Sequence, residues 1–330
     1  MIGFMLILAL ILALILLAIP HLIWFLLFLF GKIFGFHPAY SAFGLTALGL
    51  VVLCWSIMAY GYFIGRWQSR VTSLDYVNNT IPASFNGYKI VHISDLHLST
   101  FDDNKKKLKV IVDKINGLEP DLVCFTGDLV TEGVKEAEPY IDDLRRIRAK
   151  DGIVSILGNH DFMIYSFRGR PPAERDEEVE SLTVFERERL GWILLRNENR
   201  VIERGDDKIT IIGVDNQNCA DQGFHTLSRG DLQQAMNGTD GFRILLTHDP
   251  SHWNCEVVPD TDIPLTLCGH THAAQIRIFG WTPAKWVFDQ TDGRYDQDGQ
   301  TLYVNIGLGC TLPLRLGAKQ EITLITLSQN

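Results

Sequence analysis

The chain has 330 residues, a hydrophobic fraction of 46% and a formal net charge of −9. This length allows one large domain or two smaller ones. The acidic balance, and the lack of a basic stripe with interleaved aromatic residues, argue against nucleic-acid binding, which favours a positively charged surface. We therefore expect no nucleic-acid partner.

Two long apolar stretches lie within the first 70 residues. Residues 3–30 and 43–64 each exceed the length of about 20 apolar residues that a helix needs to span a bilayer core. The first stretch is too long for a cleaved signal peptide and lacks the basic start of one. We predict a membrane anchor with two spans over residues 1–70 and a globular domain over residues 71–330.

Charges and cysteines give predictions about the side of the membrane that the domain occupies. Lys32 lies between the two stretches, and Arg66 and Arg70 follow the second. More positive charge on the exit side favours a cytoplasmic domain. The six cysteines form no CxxC pair, so we expect free thiols rather than a disulfide framework, as in a reducing compartment.

The globular part contains short apolar runs typical of strands that are buried on both faces. Five of them are followed by polar clusters, and they cover residues 88–93, 122–126, 153–157, 243–246 and 265–268. Three more runs cover residues 209–214, 302–306 and 322–327.

Helical spacing lies between these runs. Residues 105–116 and 135–148 are predicted helices, and residues 175–190 form a charged helical segment after a loop at 168–172. The order of elements predicts two packed sheets covered by outer helices.

The polar clusters contain Asp, Asn and His, which suit divalent ions such as Mn²⁺, Fe²⁺ or Zn²⁺. The side chains that could bind metal are Asp95, His97, Asp128, Asn159, His248, His270 and His272. Any one of these clusters alone is more often structural, but their joint occurrence after five apolar runs predicts one metal site. His92, His225 and His252 fall outside the pattern or beside it and are interpreted as structural, although His252 lies close to His248 in the sequence.

The spacing within the clusters suggests a site for two ions about 3.5–4 Å apart. Asp95 and His97 flank one residue, so both would point to one side of an extended strand end, and His270 and His272 share this spacing. Asp128 is the natural bridging carboxylate. Gly127 before it would let the backbone turn close to the metals.

The order DxH, GD, GNHD, H and GHxH resembles the calcineurin-like metallophosphoesterases over residues 88–327. Residues 305–309 and 312–315 are similar to the bacterial branch that includes the YkuE- and YaeI-like phosphoesterases. The resemblance implies an α/β (α+β) fold, a four-layered αββα sandwich, here preceded by two transmembrane helices. It also implies a multi-pass protein of a bacterial inner membrane, whose catalytic domain the charges would place in the cytoplasm.

The resemblance implies a role for each matching position. Asp95, His97, Asp128 and His272 would hold the first ion, and Asp128, Asn159, His248 and His270 the second, with Mn²⁺ the expected metal. His160 would contact the phosphoryl group and act as general acid. Arg315 would be a phosphate clamp, because a guanidinium fork fits phosphate oxygens.

The expected activity is hydrolysis of a phosphodiester or pyrophosphate, and the membrane segments favour a lipid-linked substrate such as UDP-2,3-diacylglucosamine. Residues 127–132 depart from the GDxxDR pattern of the protein phosphatases, which argues against a phosphoprotein substrate. Ala273 and Ala274 replace two glycines of many relatives, and the segment 168–188 could shape selectivity. The alternatives are a phosphodiesterase for soluble substrates and a non-catalytic metal-bound membrane scaffold.

Overall fold

A computed structural model describes residues 2–102, 104–223 and 226–329. The chain divides into two compact units. The helical unit contains the residues up to Trp67 together with Leu312–Leu316, and the globular unit contains Gln68–Thr311 and Gly317–Asn330. The predicted boundary at residue 70 lies close to this division.

The helical unit is built on two apolar helices, α1 (Ile2–Phe34) and α2 (Tyr40–Phe63). They cover the predicted spans except for residue 64, and both are long and apolar enough to cross a membrane. Near the turn that joins them, the His21 ring nitrogen Nε2 lies 3.0 Å from the Tyr40 hydroxyl. This contact gives two polar groups of the apolar helices a partner.

Within the described residues, the globular unit contains twelve strands in two six-stranded sheets. The strands, in chain order, are β1 (Ser69–Val77), β2 (Lys89–Ile93), β3 (Leu122–Phe125), β4 (Ile153–Ser155), β5 (Ile193–Leu194), β6 (Glu198–Arg204), β7 (Asp207–Gly213), β8 (Phe242–Leu246), β9 (Leu265–Cys268), β10 (Gly293–Gln297), β11 (Gln300–Val304) and β12 (Gln320–Ser328). All eight apolar runs predicted as strands coincide with strands of the structure.

The strand order places parallel strands at the centre of both sheets. The first sheet has the order β1-β12-β2-β3-β4-β5, and the second has the order β10-β11-β9-β8-β7-β6. Strands β2 to β5 are mutually parallel, as are β7, β8, β9 and β11. Strand β12 lies between β1 and β2 and is antiparallel to β2.

The main core lies between the two sheets, as the predicted sandwich requires. Ile90 and Leu122 of the first sheet pack in one buried cluster with Ile211, Ile244 and Leu265 of the second. Burial of two opposed apolar sheet faces is the main stabilising contribution in such an architecture.

The helices agree with the predictions in two of three segments. Helices α3 (Lys106–Gly117) and α5 (Pro172–Val184) confirm their segments, and a π-helical turn continues α5 over Phe185–Leu190. The prediction of a helix over residues 135–148 was wrong. Only the four residues of α4 (Ile141–Leu144) are α-helical, after two 3₁₀ turns, and Pro139 lies inside the second turn, where it disfavours a preceding α-helical residue. The short helices α6 (Leu232–Ala235) and α7 (Val258–Asp260) complete the unit.

A disulfide joins Cys219 and Cys255, so the expectation of free thiols throughout was wrong. The two residues are 36 positions apart in sequence, and folding brings their Cα atoms to 6.3 Å. Sequence spacing carries no signal for such a pair. Cys124, Cys268 and Cys310 take no part in a disulfide and are fully buried.

Candidate metal centre

The polar clusters meet where strands of both sheets end. Asp95 and His97 follow β2, Asp128 follows β3, and Asn159 and His160 follow β4. From the second sheet, His248 follows β8, while His270 and His272 follow β9. Because the carboxyl ends of parallel strands lie at one edge of each sheet, these side chains reach a common place.

Several pairs of neighbouring donor atoms at this place lie 3.2–4.0 Å apart. His97 Nε2 is 3.2 Å from His272 Nε2, and Asp95 Oδ1 is 3.3 Å from His272 Nε2. His270 Nδ1 is 3.2 Å from His248 Nε2. Two groups of donors are therefore present, one around His272 and one around His248.

Asp128 lies between these two groups. Its Oδ2 atom is 3.5 Å from His97 Nε2 and 3.3 Å from His248 Nε2. Its Oδ1 atom accepts a hydrogen bond from the backbone N–H of His160 at 2.8 Å. One carboxylate thus faces donors of both groups, which is the placement that a bridging ligand requires.

The backbone around these side chains is left-handed. The φ angles of Asp95, His97, Asp128, His270 and His272 lie between 40° and 72°. The prediction that Asp95 and His97 point to one side of an extended strand end was therefore wrong, because β2 stops at Ile93 and the chain turns. Non-glycine residues avoid this region, and such conformations are concentrated at functional sites, where the surrounding fold enforces them.

Two glycines permit close approach of the loops, one of them predicted. Gly127 has a φ of +92°, and a Cβ atom there would lie 2.4 Å from the Gly158 nitrogen. A Cβ atom on Gly269 would lie 1.9 Å from Ser94 Oγ and 2.3 Å from Asp95 Oδ2. Neither position has room for a side chain.

Hydrogen bonds behind the imidazoles orient them. His248 Nδ1 donates to the Thr126 carbonyl oxygen at 2.7 Å, which leaves Nε2 facing Asp128. His97 Nδ1 lies 3.2 Å from Thr131 Oγ1. Such outer partners fix the tautomer and direction of a metal-binding histidine.

Asn159 provides an observation that favours metal binding directly. Its Oδ1 atom is buried and has no hydrogen-bond partner among the described residues. Its Nδ2 atom donates to the Tyr165 hydroxyl at 3.0 Å, which fixes the orientation of the amide. A buried acceptor without a partner is costly, and a cation at this place would satisfy the Asn159 oxygen. The donor set therefore fits divalent cations.

Burial and neighbouring charges shift the pKa values of the side chains in the site. Burial opposes ionisation of Asp128, but the charge of His248 holds its pKa well below the usual range. Burial, by contrast, raises the pKa of Asp95 to about 6. Burial lowers the pKa of His248, but the charge of Asp128 outweighs it, and the pKa rises to about 10. In the metal-free protein, one protonated imidazole thus supplies part of the positive charge that the carboxylates require.

His160 lies at the rim of the site. Its Nδ1 atom donates to the Thr131 carbonyl oxygen at 3.1 Å. Its ring packs edge-on against His97, with the centroids 4.8 Å apart, and lies 4.6 Å from the Tyr165 ring. The ring is thus held beside the donor cluster by contacts on several sides.

Arg315 belongs to the segment Leu312–Leu316 of the helical unit. Its backbone N–H donates to the Gly61 carbonyl oxygen of α2 at 3.3 Å. The phosphate contact expected for Arg315 stays a prediction.

The remaining histidines agree with a structural role where the structure describes them. His92 Nε2 lies 2.9 Å from Thr126 Oγ1, and His252 contacts Thr247 Oγ1 and Glu256 Oε2 at 3.0 and 2.9 Å. His225 lies outside the described residues.

Three further residues support the site and were not predicted from the sequence. Asp161 accepts backbone N–H bonds from Asp128 at 2.7 Å, Gly158 at 2.9 Å and Val130 at 3.2 Å. Gln222 and Asp249 lie behind His270. Asp161 directly follows the predicted general acid His160, and Asp249 directly follows the predicted ligand His248, which is the one signal they carry. Gln222 carries none.

The chain matches the family model described as calcineurin-like phosphoesterase over residues 88–274. The match covers more than half of the chain and contains all seven side chains of the donor cluster. The chain belongs to the calcineurin-like metallophosphoesterases.

Relatives extend this likeness beyond the matched region. The chain is 32% identical to the uncharacterized metallophosphoesterase YkuE of Bacillus subtilis over 305 residues, which cover 89% of this chain and 95% of that protein. It is 28% identical to a transmembrane protein with metallophosphoesterase domain of Danio rerio, covering 88% of this chain and 64% of the relative. A Bos taurus protein with the same description is 29% identical, covering 78% of this chain and 56% of the relative.

Family membership implies phosphoester hydrolase activity and a phosphoester substrate. The clustered Asp and His side chains indicate divalent metal binding. The two apolar helices and the transmembrane relatives indicate association with a membrane.

Proposed function

We propose that this protein is a membrane-anchored, dinuclear-metal-dependent phosphoesterase that hydrolyses phosphodiester or pyrophosphate bonds. The observation that carries the proposal is the convergence of donor atoms from both sheets around Asp128, which faces His97 at 3.5 Å and His248 at 3.3 Å. Two groups of imidazoles with one shared carboxylate match the needs of a pair of divalent ions.

The proposed ligands divide between two ions, for which we propose Mn²⁺. Asp95, His97, Asp128 and His272 would hold the first, and Asp128, Asn159, His248 and His270 the second. When bound, the two ions would activate a water molecule and neutralise charge on the phosphoryl oxygens. Metal binding would displace the proton of His248, whose pKa is about 10, and that of Asp95, whose pKa is about 6, so affinity falls as the pH is lowered.

His160 is proposed as the general acid. Because its Nδ1 atom donates to the Thr131 carbonyl oxygen at 3.1 Å, its Nε2 atom is the one that would carry a proton to the leaving oxygen. Arg315 is proposed to contact a phosphate oxygen, a role that its guanidinium suits.

The test is hydrolysis of bis-p-nitrophenyl phosphate by the full chain in detergent with Mn²⁺. His160→Ala should bind Mn²⁺ normally and lose most of the diester turnover, typically 10²–10⁴-fold for a general acid. His252→Ala is the matched control and should retain diesterase activity. Two bound Mn²⁺ ions per chain without turnover of any ester would favour the scaffold alternative.

An aromatic loop beside the site supports a lipid-linked substrate. Residues 276–288 begin four positions after His272, and the Thr282 hydroxyl donates to the Ala273 carbonyl oxygen at 2.5 Å. Phe279 is fully exposed and Trp286 is 78% exposed. Trp side chains favour the membrane–water interface, so this loop could contact acyl chains while the phosphate reaches the metals.

We therefore propose a diacylated substrate, of which UDP-2,3-diacylglucosamine is one example. The wild-type protein and a Phe279→Ser, Trp286→Ser double variant should hydrolyse a soluble diester equally. The double variant should lose about tenfold in kcat/KM for a diacylated pyrophosphate in mixed micelles, the effect of weaker apolar contact. Val201→Ser, on an exposed strand position, is the control. Equal losses on both substrates would contradict a lipid-specific role.

The compartment of the globular unit follows from two opposing features. One additional positive charge after α2 favours the cytoplasm, whereas the exposed Cys219–Cys255 disulfide favours an oxidising environment. We infer that the unit lies on the oxidising side of a bacterial inner membrane that the chain crosses twice. An alkaline phosphatase fused after residue 329 should be active in cells, and an inactive fusion would support the cytoplasmic prediction.

A further inference from the structure

A loop fastened by the disulfide reaches the candidate metal centre. The loop comprises residues 219–222, from Cys219 to Gln222. Gln222 is only 6% exposed. Cys219 is bonded to Cys255 on the segment that follows β8. The Cys219 backbone N–H also donates to Ser251 Oγ at 3.0 Å.

Gln222 connects this loop to His270. Its Oε1 atom accepts a hydrogen bond from His270 Nε2 at 3.0 Å. Its Nε2 atom donates to Asp249 Oδ2 and, at 3.1 Å, to Asn218 Oδ1. Both ends of the Gln222 amide are therefore occupied, and its orientation is fixed.

These contacts determine which His270 nitrogen faces the metal site. With the proton on Nε2, the lone pair lies on Nδ1, which is 3.2 Å from His248 Nε2. Asp249 Oδ2 lies 3.5 Å from His270 Nε2 and reinforces the same tautomer. Without an acceptor behind Nε2, the ring could rotate or change tautomer.

We propose that Gln222 is a positioning residue for His270, and that the Cys219–Cys255 disulfide makes occupancy of the second ion sensitive to redox state. This inference rests on the dinuclear site of the proposed function. A dithiol reductant supplies two electrons and two protons, becomes a disulfide itself, and leaves Cys219 and Cys255 as two thiols. A phosphine supplies the two electrons and becomes a phosphine oxide, while water supplies its oxygen and the two protons. The loop then loses its covalent attachment, and Gln222 is held less firmly against His270.

The disulfide is accessible to such a reductant. Cys219 and Cys255 are both exposed, whereas Cys124, Cys268 and Cys310 are buried. A reductant in solution would therefore reach this bond directly.

The experiment measures Mn²⁺ binding to the full chain in detergent by equilibrium dialysis. Electron paramagnetic resonance then distinguishes a spin-coupled Mn²⁺ pair from a single ion. Gln222→Met keeps the side-chain volume but removes the Gln222 Oε1 acceptor. It should lower the affinity for the second ion 10–100-fold, as changes to the partners of metal ligands do. Gln233→Met, at an exposed position, is the matched control.

Redox dependence is tested in the same assay. Tris(2-carboxyethyl)phosphine should lower the affinity of the wild-type protein for the second ion about tenfold, within the range found when the partners of metal ligands are changed. A Cys219→Ser, Cys255→Ser variant should show this weakness without reductant and no further change with it. Since the readout is bound Mn²⁺, the absence of turnover on a chosen ester does not affect the result.

Two outcomes would overturn the proposal. Unchanged affinity for both ions in Gln222→Met would remove the positioning role of Gln222. Unchanged affinity in the reduced protein and in the double serine variant would remove the redox dependence. Failure of the wild-type protein to bind any Mn²⁺ would instead count against the proposed dinuclear site itself.

Discussion

The Nδ1 atom of His270 lies 3.2 Å from the Nε2 atom of His248, although the two residues follow different strands of the second sheet. Two imidazole nitrogens at this distance either share one proton or direct both lone pairs at one cation. Because burial holds the pKa of His270 down to about 4, the positive charge of the metal-free pair falls on His248.

Metal removal should destabilise the protein, because an ion that binds the folded chain stabilises it by mass action. At a Mn²⁺ concentration 100-fold above the Kd, the gain is about 2.7 kcal/mol for one site. We expect chelation to lower the melting temperature by about 5–10 °C for a unit of this size. Differential scanning fluorimetry of the full chain measures this, and a melting temperature that ignores the chelator would contradict a metal site.

Asp128→Asn should abolish the simultaneous binding of two metal ions, because the neutral amide cannot serve two cations as a bridging carboxylate does. We expect the loss of at least one Mn²⁺ per chain and a fall in diester turnover greater than about 100-fold. Metal analysis after dialysis, together with rates on bis-p-nitrophenyl phosphate, provides the measurement. Asp206→Asn, on an exposed turn, should change neither quantity.

Gly269→Ala should distort the site, because the new Cβ atom would lie 1.9 Å from Ser94 Oγ and 2.3 Å from Asp95 Oδ2. We expect destabilisation by about 1–3 kcal/mol, the usual cost of overpacking, and weaker Mn²⁺ binding. Gly117→Ala at the end of α3 is the control, because nothing lies within 4 Å of its Cβ position. Equal stability of the two variants would show that the loops have more room than this packing indicates.

Tyr165→Phe should weaken metal binding without removing a ligand. The Tyr165 hydroxyl accepts a hydrogen bond from Asn159 Nδ2 at 3.0 Å and thereby fixes the direction of the free Asn159 oxygen. We expect about a tenfold loss in Mn²⁺ affinity, and a larger loss in Asn159→Ala. Tyr88→Phe, which removes a hydrogen bond to Asp151 elsewhere, should leave affinity unchanged. The same affinity in Tyr165→Phe and the wild-type protein would rule out an orienting role.

Glu186 should make stability depend on pH. Burial raises its pKa from the usual 4.5 to about 8, so between these values the folded chain binds more protons than the unfolded chain. The contribution of Glu186 to the free energy of unfolding is therefore fully present below about pH 4.5 and is lost as the pH rises through about 8. Glu186→Gln should reduce this loss of stability with rising pH, and its melting temperature at pH 8 should be higher than that of the wild-type protein. The exposed Glu188→Gln should retain the wild-type pH dependence, and an identical slope in both variants would contradict the assignment.

The strands could be predicted because buried parallel strands leave continuous apolar runs, as residues 265–268 illustrate. The polar residues after them were informative because such strand ends share one edge. The left-handed turns at Asp95 and His97 could not be predicted, since the fold, not local preference, enforces them. The Cys219–Cys255 bond and the contact of Gln222 with His270 also depend on three-dimensional neighbours that sequence spacing does not reveal.

Strand β12 separates β1 from β2, and the two earlier strands hydrogen-bond to it rather than to each other. A ribosome therefore produces β1 and β2 long before residues 320–328 can join them. Until then the nascent chain carries unpaired strand edges next to segments already able to enter a bilayer, and exposed edges of this kind promote aggregation. The first sheet is completed only when residues 320–328 have been made, so these strand edges stay open throughout synthesis of the rest of the globular unit.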